Sequence, residues 1–113
     1  MVLDKKGNLF VTDSDNDRIQ VFDNKGQFIR KWGEYGKDEG QFNNPIDIVV
    51  DYQGNIFVSD DHCIQVFTSE GQFIHKWDMK DVKPYGITVD DKRNLFVSDF
   101  ENSKKSLMNR NVI

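Results

Sequence analysis

The chain has 113 residues, 37% of them hydrophobic and 30% charged, and its 15 basic and 19 acidic side chains leave a formal charge of −4. Those proportions describe a soluble globular domain rather than a disordered one, and no run of about 18 apolar residues is there to cross a membrane. The charges are scattered rather than blocked, so no continuous basic stretch is available to neutralise a phosphate backbone as a whole.

The opening Met1-Val2-Leu3-Asp4-Lys5-Lys6 lacks the apolar core of a secretion signal, so a cytoplasmic protein with no membrane partner is expected. The segment Asp4-Lys5-Lys6-Gly7-Asn8-Leu9-Phe10-Val11-Thr12-Asp13 then sets a glycine turn before a short run of β-branched and aromatic residues, which predicts a strand. Ile19-Gln20-Val21-Phe22 and Gln27-Phe28-Ile29-Arg30-Lys31-Trp32 predict two more, joined through Asn24-Lys25-Gly26. Pro45-Ile46-Asp47-Ile48-Val49-Val50 opens a second unit, proline being tolerated as the first residue of a strand. The earlier patterns follow again as Asp51-Tyr52-Gln53-Gly54-Asn55-Ile56-Phe57-Val58-Ser59-Asp60, Ile64-Gln65-Val66-Phe67 and Gly71-Gln72-Phe73-Ile74-His75-Lys76-Trp77. A third unit begins at Pro84-Tyr85-Gly86-Ile87-Thr88-Val89 and continues through Asp90 to Asp99, with Arg93 in place of the turn glycine, so that turn is expected to be altered or strained. Residues 106–113 carry no matching aromatic, and the third unit is expected to end after its second strand.

Copies spaced by roughly 40 to 47 residues, each with four antiparallel strands, are the signature of a β-propeller blade. The predicted fold is therefore all-β, a partial propeller of about two and a half blades: residues 2–44, 45–83 and 84–105, followed by a tail outside the pattern. An open stack leaves apolar faces and strand edges uncovered, so a lone monomer should be marginal. Two readings follow: a fragment of a larger propeller, which is preferred, or self-association that closes a ring.

The wording of the units carries a family resemblance. Gly40-Gln41-Phe42-Asn43-Asn44-Pro45, Ile48-Val49-Val50-Asp51, Gly54 through Asp60 and Asn16-Asp17-Arg18-Ile19-Gln20-Val21-Phe22 together resemble the NHL repeat, over residues 2–99. The chain departs from that pattern at Asp17, where the family usually has histidine, and at Asp61-His62-Cys63, which is two residues short and lacks the arginine. The resemblance implies a six-bladed disc serving as a docking platform, as in the tripartite-motif ubiquitin ligases and related developmental regulators. Such platforms bind protein partners or single-stranded and hairpin RNA. It also implies that the chain itself is no enzyme, since the zinc-binding cysteines of a ligase domain are absent.

Binding is expected at loops, because the strands are used in packing. The candidates are Arg18 between the second and third strands, Trp32, Tyr35 and Lys37 at the blade-to-blade connection, and Tyr85 at the start of the third unit. Aromatic and basic side chains together suit RNA bases and phosphates. Against that, Trp32 and Trp77 hold equivalent positions at strand ends and suit packing of blade on blade, and Arg18 suits a bond to the carboxylate of Asp13. Asp13-Ser14-Asp15-Asn16-Asp17 imitates half of a calcium loop, but Arg18 stands where glycine is needed and Asn24 where a bidentate glutamate is needed. Asp13, Asp60 and Asp99 are expected instead to satisfy backbone donors at the turn after the second strand. Cys63, the only cysteine, excludes a disulfide framework and suits a half-buried strand position. His62 and His75 are too few for the multi-histidine centre of the amidating lyases that carry similar repeats, and no metal or other cofactor is expected. A protein partner is ranked first, RNA second and catalysis last.

Overall fold

The computed structural model describes residues 1–79, 83–92, 94–99 and 104–109, with Asp99 and the last six described by backbone alone. Three antiparallel sheets run in simple order along the chain. The first holds β1 (Val2–Leu3), β2 (Leu9–Asp13), β3 (Arg18–Phe22) and β4 (Phe28–Trp32); the second holds β5 (Asp47–Val50), β6 (Ile56–Ser59), β7 (Cys63–Phe67) and β8 (Phe73–Asp78). The third holds β9 (Pro84–Val89), β10 (Asn94–Asp99) and β11 (Lys104–Asn109). In the second unit the expected strands stand within a residue or two of these bounds. Among the first strands, β1 neighbours β5 and β5 neighbours β9, as the inner strands of successive propeller blades do.

Local sequence closes the hairpins in a repeated way. Asp4 Oδ1 accepts the backbone N–H groups of Lys6 and Asn8, Asp51 Oδ1 those of Gln53 and Asn55, and Asp90 Oδ1 those of Lys92 and Asn94, each at 2.9 Å. A carboxylate that mimics a backbone acceptor thereby fixes each first turn. The glycines at the hairpin turns of the first two blades have positive φ, as expected. Arg93 lies outside the described residues. The repetition extends to irregularities, for the β3–β4 register shifts between Val21 and Phe22 and the β7–β8 register at the equivalent Val66 and Phe67.

Because successive strand residues point to opposite faces, each inner blade packs on two neighbours at once. Ile56, Val58 and Phe67 of the second blade join the first blade's Phe10, Ile19 and Val21, while Phe57, Ile64 and Val66 join Ile87, Leu95 and Val97 of the third. Strands β6 and β7 are buried along their whole length, which is why they read as nearly unbroken apolar runs. Hydroxyl groups lock each blade to the next at matching positions. Thr12 Oγ1 donates to the Ile46 carbonyl at 3.3 Å, and Ser59 Oγ to the Tyr85 carbonyl at 3.0 Å.

Two expectations are corrected. The third sheet does not stop after two strands: β11 pairs along β10 from Asn94↔Asn109 to Asp99↔Lys104, so residues 106–109 belong to the blade rather than to a tail outside it. A ladder needs only backbone donors and acceptors on an open edge, so the missing aromatic did not prevent it. Asp13, by contrast, accepts from no backbone donor among the described residues. Its carboxylate accepts from the side chains of Arg18, Asn16 and Gln20. Asp60 does behave as expected, accepting the N–H groups of His62, Cys63 and Asn43. The Asp99 side chain lies outside the described residues.

Candidate binding face

Antiparallel order sorts the connections onto two sides of the blades. Turns between first and second strands, and between third and fourth, lie on one side; turns between second and third strands lie on the other with the blade-to-blade linkers. All five sequence candidates fall on or beside this second side, the linker face.

The linker of residues 33–46 is tied down at nearly every step of Gly40-Gln41-Phe42-Asn43-Asn44-Pro45. Gly40 N–H donates to Gln65 Oε1 at 2.8 Å, Gln65 Nε2 donates back to the Gln41 carbonyl at 2.6 Å, and Asn43 N–H reaches Asp60 Oδ2 at 3.0 Å. Gln41 folds over its own loop, accepting from Asp38 N–H and donating to Glu34 Oε1. Phe42 is fully buried in the seam between the first two blades, and Asn44, in the left-handed region at φ 59°, donates its N–H to Asp17 Oδ1. The motif that carries the resemblance is thus used almost wholly in holding the loop, and what the loop presents is held in place with it.

The structure divides the five candidates. Arg18 Nε lies 2.9 Å from Asp13 Oδ2, and this bond, with a second from Asn16, holds the Asp13 carboxyl below the usual carboxylate range. Trp32 packs into the seam, 6.4 Å from Phe10 and 5.4 Å from Phe67, and its buried Nε1 finds no acceptor among the described residues. Gly71 of the second blade lies directly against this indole: a Cβ there would stand 2.7 Å from the ring, and φ of 89° already favours glycine. Tyr35 and Lys37 are presented instead, Tyr35 with 68% of its surface exposed on a loop braced by the paired backbone of Glu34, Gly36 and Phe42. The Lys37 carbonyl accepts from Lys76 Nζ, while its own side chain is exposed. Tyr85 is 51% exposed, its carbonyl already held by Ser59.

Beside these lies a cavity of about 380 Å³ bounded by Lys37, Gln41, Asn43, Asp60, His62 and Cys63. Cys63 Sγ donates to Asp60 Oδ1 at 3.2 Å, and burial, reinforced by that carboxylate, pushes the thiol well above its ordinary range. A thiol so held stays protonated at neutral pH and is no nucleophile. Among the described residues of this face carboxylates outnumber cations, with Asp15, Asp17, Glu34, Asp38, Glu39 and Asp61 set against Arg18, Lys37, Lys76 and Lys83.

Sequence reasoning missed the opposite face. There a cavity of about 810 Å³ runs across the first turns of all three blades, and Lys5 Nζ sits 3.8 Å over the Tyr52 ring, joining the first blade to the second. Arg30 Nη1 adds a bond to the Ser69 carbonyl. The signal was available: Lys5 and Tyr52 each directly follow the repeated turn aspartate.

Comparison with known proteins agrees with this architecture. A family model described as a 6-bladed beta-propeller, DUF5128, matches residues 1–113. Among solved structures, a putative exported protein from Bacteroides fragilis is 18% identical with a TM-score of 0.75, over 96% of this chain and 33% of that one. A streptogramin B lyase is 18% identical with a TM-score of 0.72, and a virginiamycin B lyase from Staphylococcus aureus 16% identical with 0.68; each match covers 96% of this chain and 39% of the other. At such identities the likeness shows the fold alone, and the chain spans well under half of these structures.

Proposed function

This chain belongs to the six-bladed β-propeller family DUF5128, and on that footing we propose that it acts as a non-catalytic binding segment of a propeller whose linker face docks a protein partner. The observation that carries this reading is Tyr35, displayed on a linker loop pinned by Gln65 and Asp60, in which the exposed Glu34, Asp38 and Glu39 outnumber Lys37. A braced aromatic gives contact area with little ordering cost on binding. The acidic surroundings favour a partner with basic and aromatic side chains over a polyanion such as single-stranded or hairpin RNA. The repeat wording of residues 40–60 supports the finer reading of an NHL-type scaffold; recruiting substrates to a tripartite-motif ligase would be a role for a longer protein carrying that ligase.

Panning a random peptide display library against the purified chain tests the proposal. The expected outcome is enrichment of peptides rich in lysine, arginine and aromatics, with affinity lowered about tenfold, or ~1.4 kcal/mol, by Tyr35→Ala. Tight binding of single-stranded RNA that falls steeply with salt would instead make the face a nucleic-acid reader. A second reading, a segment of a lyase propeller, draws support from the two lyases among the structural likenesses. Incubation with a streptogramin B substrate is expected to leave it unchanged; turnover by the chain would put catalysis first.

A further inference from the structure

On the face opposite the linkers, the cavity of about 810 Å³ is built around a repeat position where the fold makes no demand on the side chain. The residue after each turn aspartate is Lys5 in the first blade, Tyr52 in the second and Asp91 in the third, while the turn is closed by the aspartate itself. Folding therefore requires no aromatic at residue 52. Tyr52 nevertheless stands there with 76% of its surface exposed, and the Lys5 ammonium of the neighbouring blade lies over its ring.

The mounting of that ring is stiff. Asp51 is buried, and its Oδ1 accepts the N–H groups of Gln53 and Asn55. Backbone bonds from Asp51 N–H to the Asn55 carbonyl, and from Gly54 N–H to the Asp51 carbonyl, close the tip. A Cβ at Gly54 would meet nothing within 4 Å, so the space in front of the tip is open. A ring fixed in this way loses little freedom when something stacks on it.

Groups of both charge signs surround it. Lys5, Lys6 and Arg30 line the cavity together with the exposed Glu70 and Asp91 and the turn carboxylates of Asp4, Asp51 and Asp90. Among the described residues none of the three cations is paired with a carboxylate, and Arg30 is positioned by its bond from Nη1 to the Ser69 carbonyl at 3.0 Å. Five carboxylates against three cations disfavour a polyanion. An organic cation would compete with Lys5 for the face of Tyr52. A hydroxyl-rich ligand suits both signs at once, because each hydroxyl donates to a carboxylate and accepts from an ammonium or guanidinium. The apolar C–H face of a sugar ring suits the Tyr52 ring in the same way.

We propose that this cavity binds a neutral oligosaccharide, with one sugar ring stacked on Tyr52 and its hydroxyl groups shared among Arg30, Gln53 and Glu70. Its volume lies within the roughly 300–1,000 Å³ usual for small-ligand sites. Neither Tyr35 nor Lys37 lines it, so it is a second site, separate from the linker face.

The labelled full chain is applied to a printed array of neutral glucans, xylans and mannans, with oligogalacturonate and chitosan oligomers as anionic and cationic probes, and the bound sugars are titrated by calorimetry. Saturable binding of a neutral oligosaccharide is expected, weakened about tenfold or more by Tyr52→Ala and kept within about twofold by Tyr52→Phe. In saturation-transfer spectra the C–H protons of one sugar ring should receive most of the signal, and lose it with Tyr52→Ala. The exposed position lets Tyr52→Ala fold, which an unchanged circular dichroism spectrum checks. Absence of binding to every neutral glycan, a preference for oligogalacturonate or chitosan, or binding indifferent to Tyr52→Ala would each overturn the proposal.

Discussion

Trp32 and Trp77 stand at the ends of equivalent strands, yet they do different work. Trp32 reaches forward across the seam between the first two blades, lying against Phe67 and the Gly71 turn, with Phe42 of the linker filling the space beside it. The described ring contacts of Trp77 are with its own blade, stacked on Phe57 at 6.5 Å and edge-on to His75 at 4.8 Å. Among the described residues, one seam is held by a tryptophan, a linker phenylalanine and a glutamine clamp; the other rests on the layer of Ile64, Val66, Ile87, Leu95 and Val97 with Phe57, against which Trp77 and Met79 pack from their own blade.

The largest expected effect breaks the first seam. Trp32→Ala should lower stability by about 3–5 kcal/mol, the usual cost of emptying a packed aromatic site, and Trp77→Ala by about half that or less; thermal and denaturant unfolding followed by circular dichroism compares them. Equal losses would show that the two seams are equivalent. Next in size, Gln65→Ala leaves Gly40 N–H and the Gln41 carbonyl without partners and should cost about 1–3 kcal/mol, whereas the half-exposed Gln20→Ala should cost about 0.5 kcal/mol or less. The contrast between these two glutamines is the sharpest measure of what a docked linker contributes.

Smaller effects follow from titration. The Arg18 bond holds the folded Asp13 pKa below its unfolded value, so its contribution is present above the ordinary carboxylate range and is lost as pH falls through the lower folded value. Asp13→Asn should flatten that acid limb by less than about 1 kcal/mol, as for other partly exposed ion pairs. Cys63 has the opposite sign, its thiol raised on folding, so its contribution is present at neutral pH and is lost as pH rises past the ordinary thiol range. Alkylation should accordingly be slow on the folded chain at mildly alkaline pH and fast once denaturant exposes the residue; fast reaction of the folded chain would contradict the bond to Asp60.

Much of the blade was legible because its code is local. The turn glycines and the short β-branched and aromatic strands act within a few residues, so the hairpins of the first two blades were announced in advance, whereas the capping role of Asp4, Asp51 and Asp90 emerged only in the structure. The third strand of the last blade was not legible, since pairing with an open edge is a backbone matter that side-chain wording does not reveal. The candidate face was legible as a set of loops, and the strand-end position of Trp32 already suited the seam it packs into; that Tyr35, three positions later, is left in solvent was not legible. Lys5 and Tyr52 were missed because their meeting depends on two turns from different blades lying side by side.

By itself, then, the amino-acid sequence determined the repeat, the strand order within each unit and the membership of a propeller, all of which follow from periodic short-range preferences. Only the tertiary structure decided which copy of each repeated residue has a neighbour. Gln20 and Gln65 carry the same chemistry in the same local setting, and one clamps a linker while the other turns to Asp13 because partners across a seam come from residues distant in the chain.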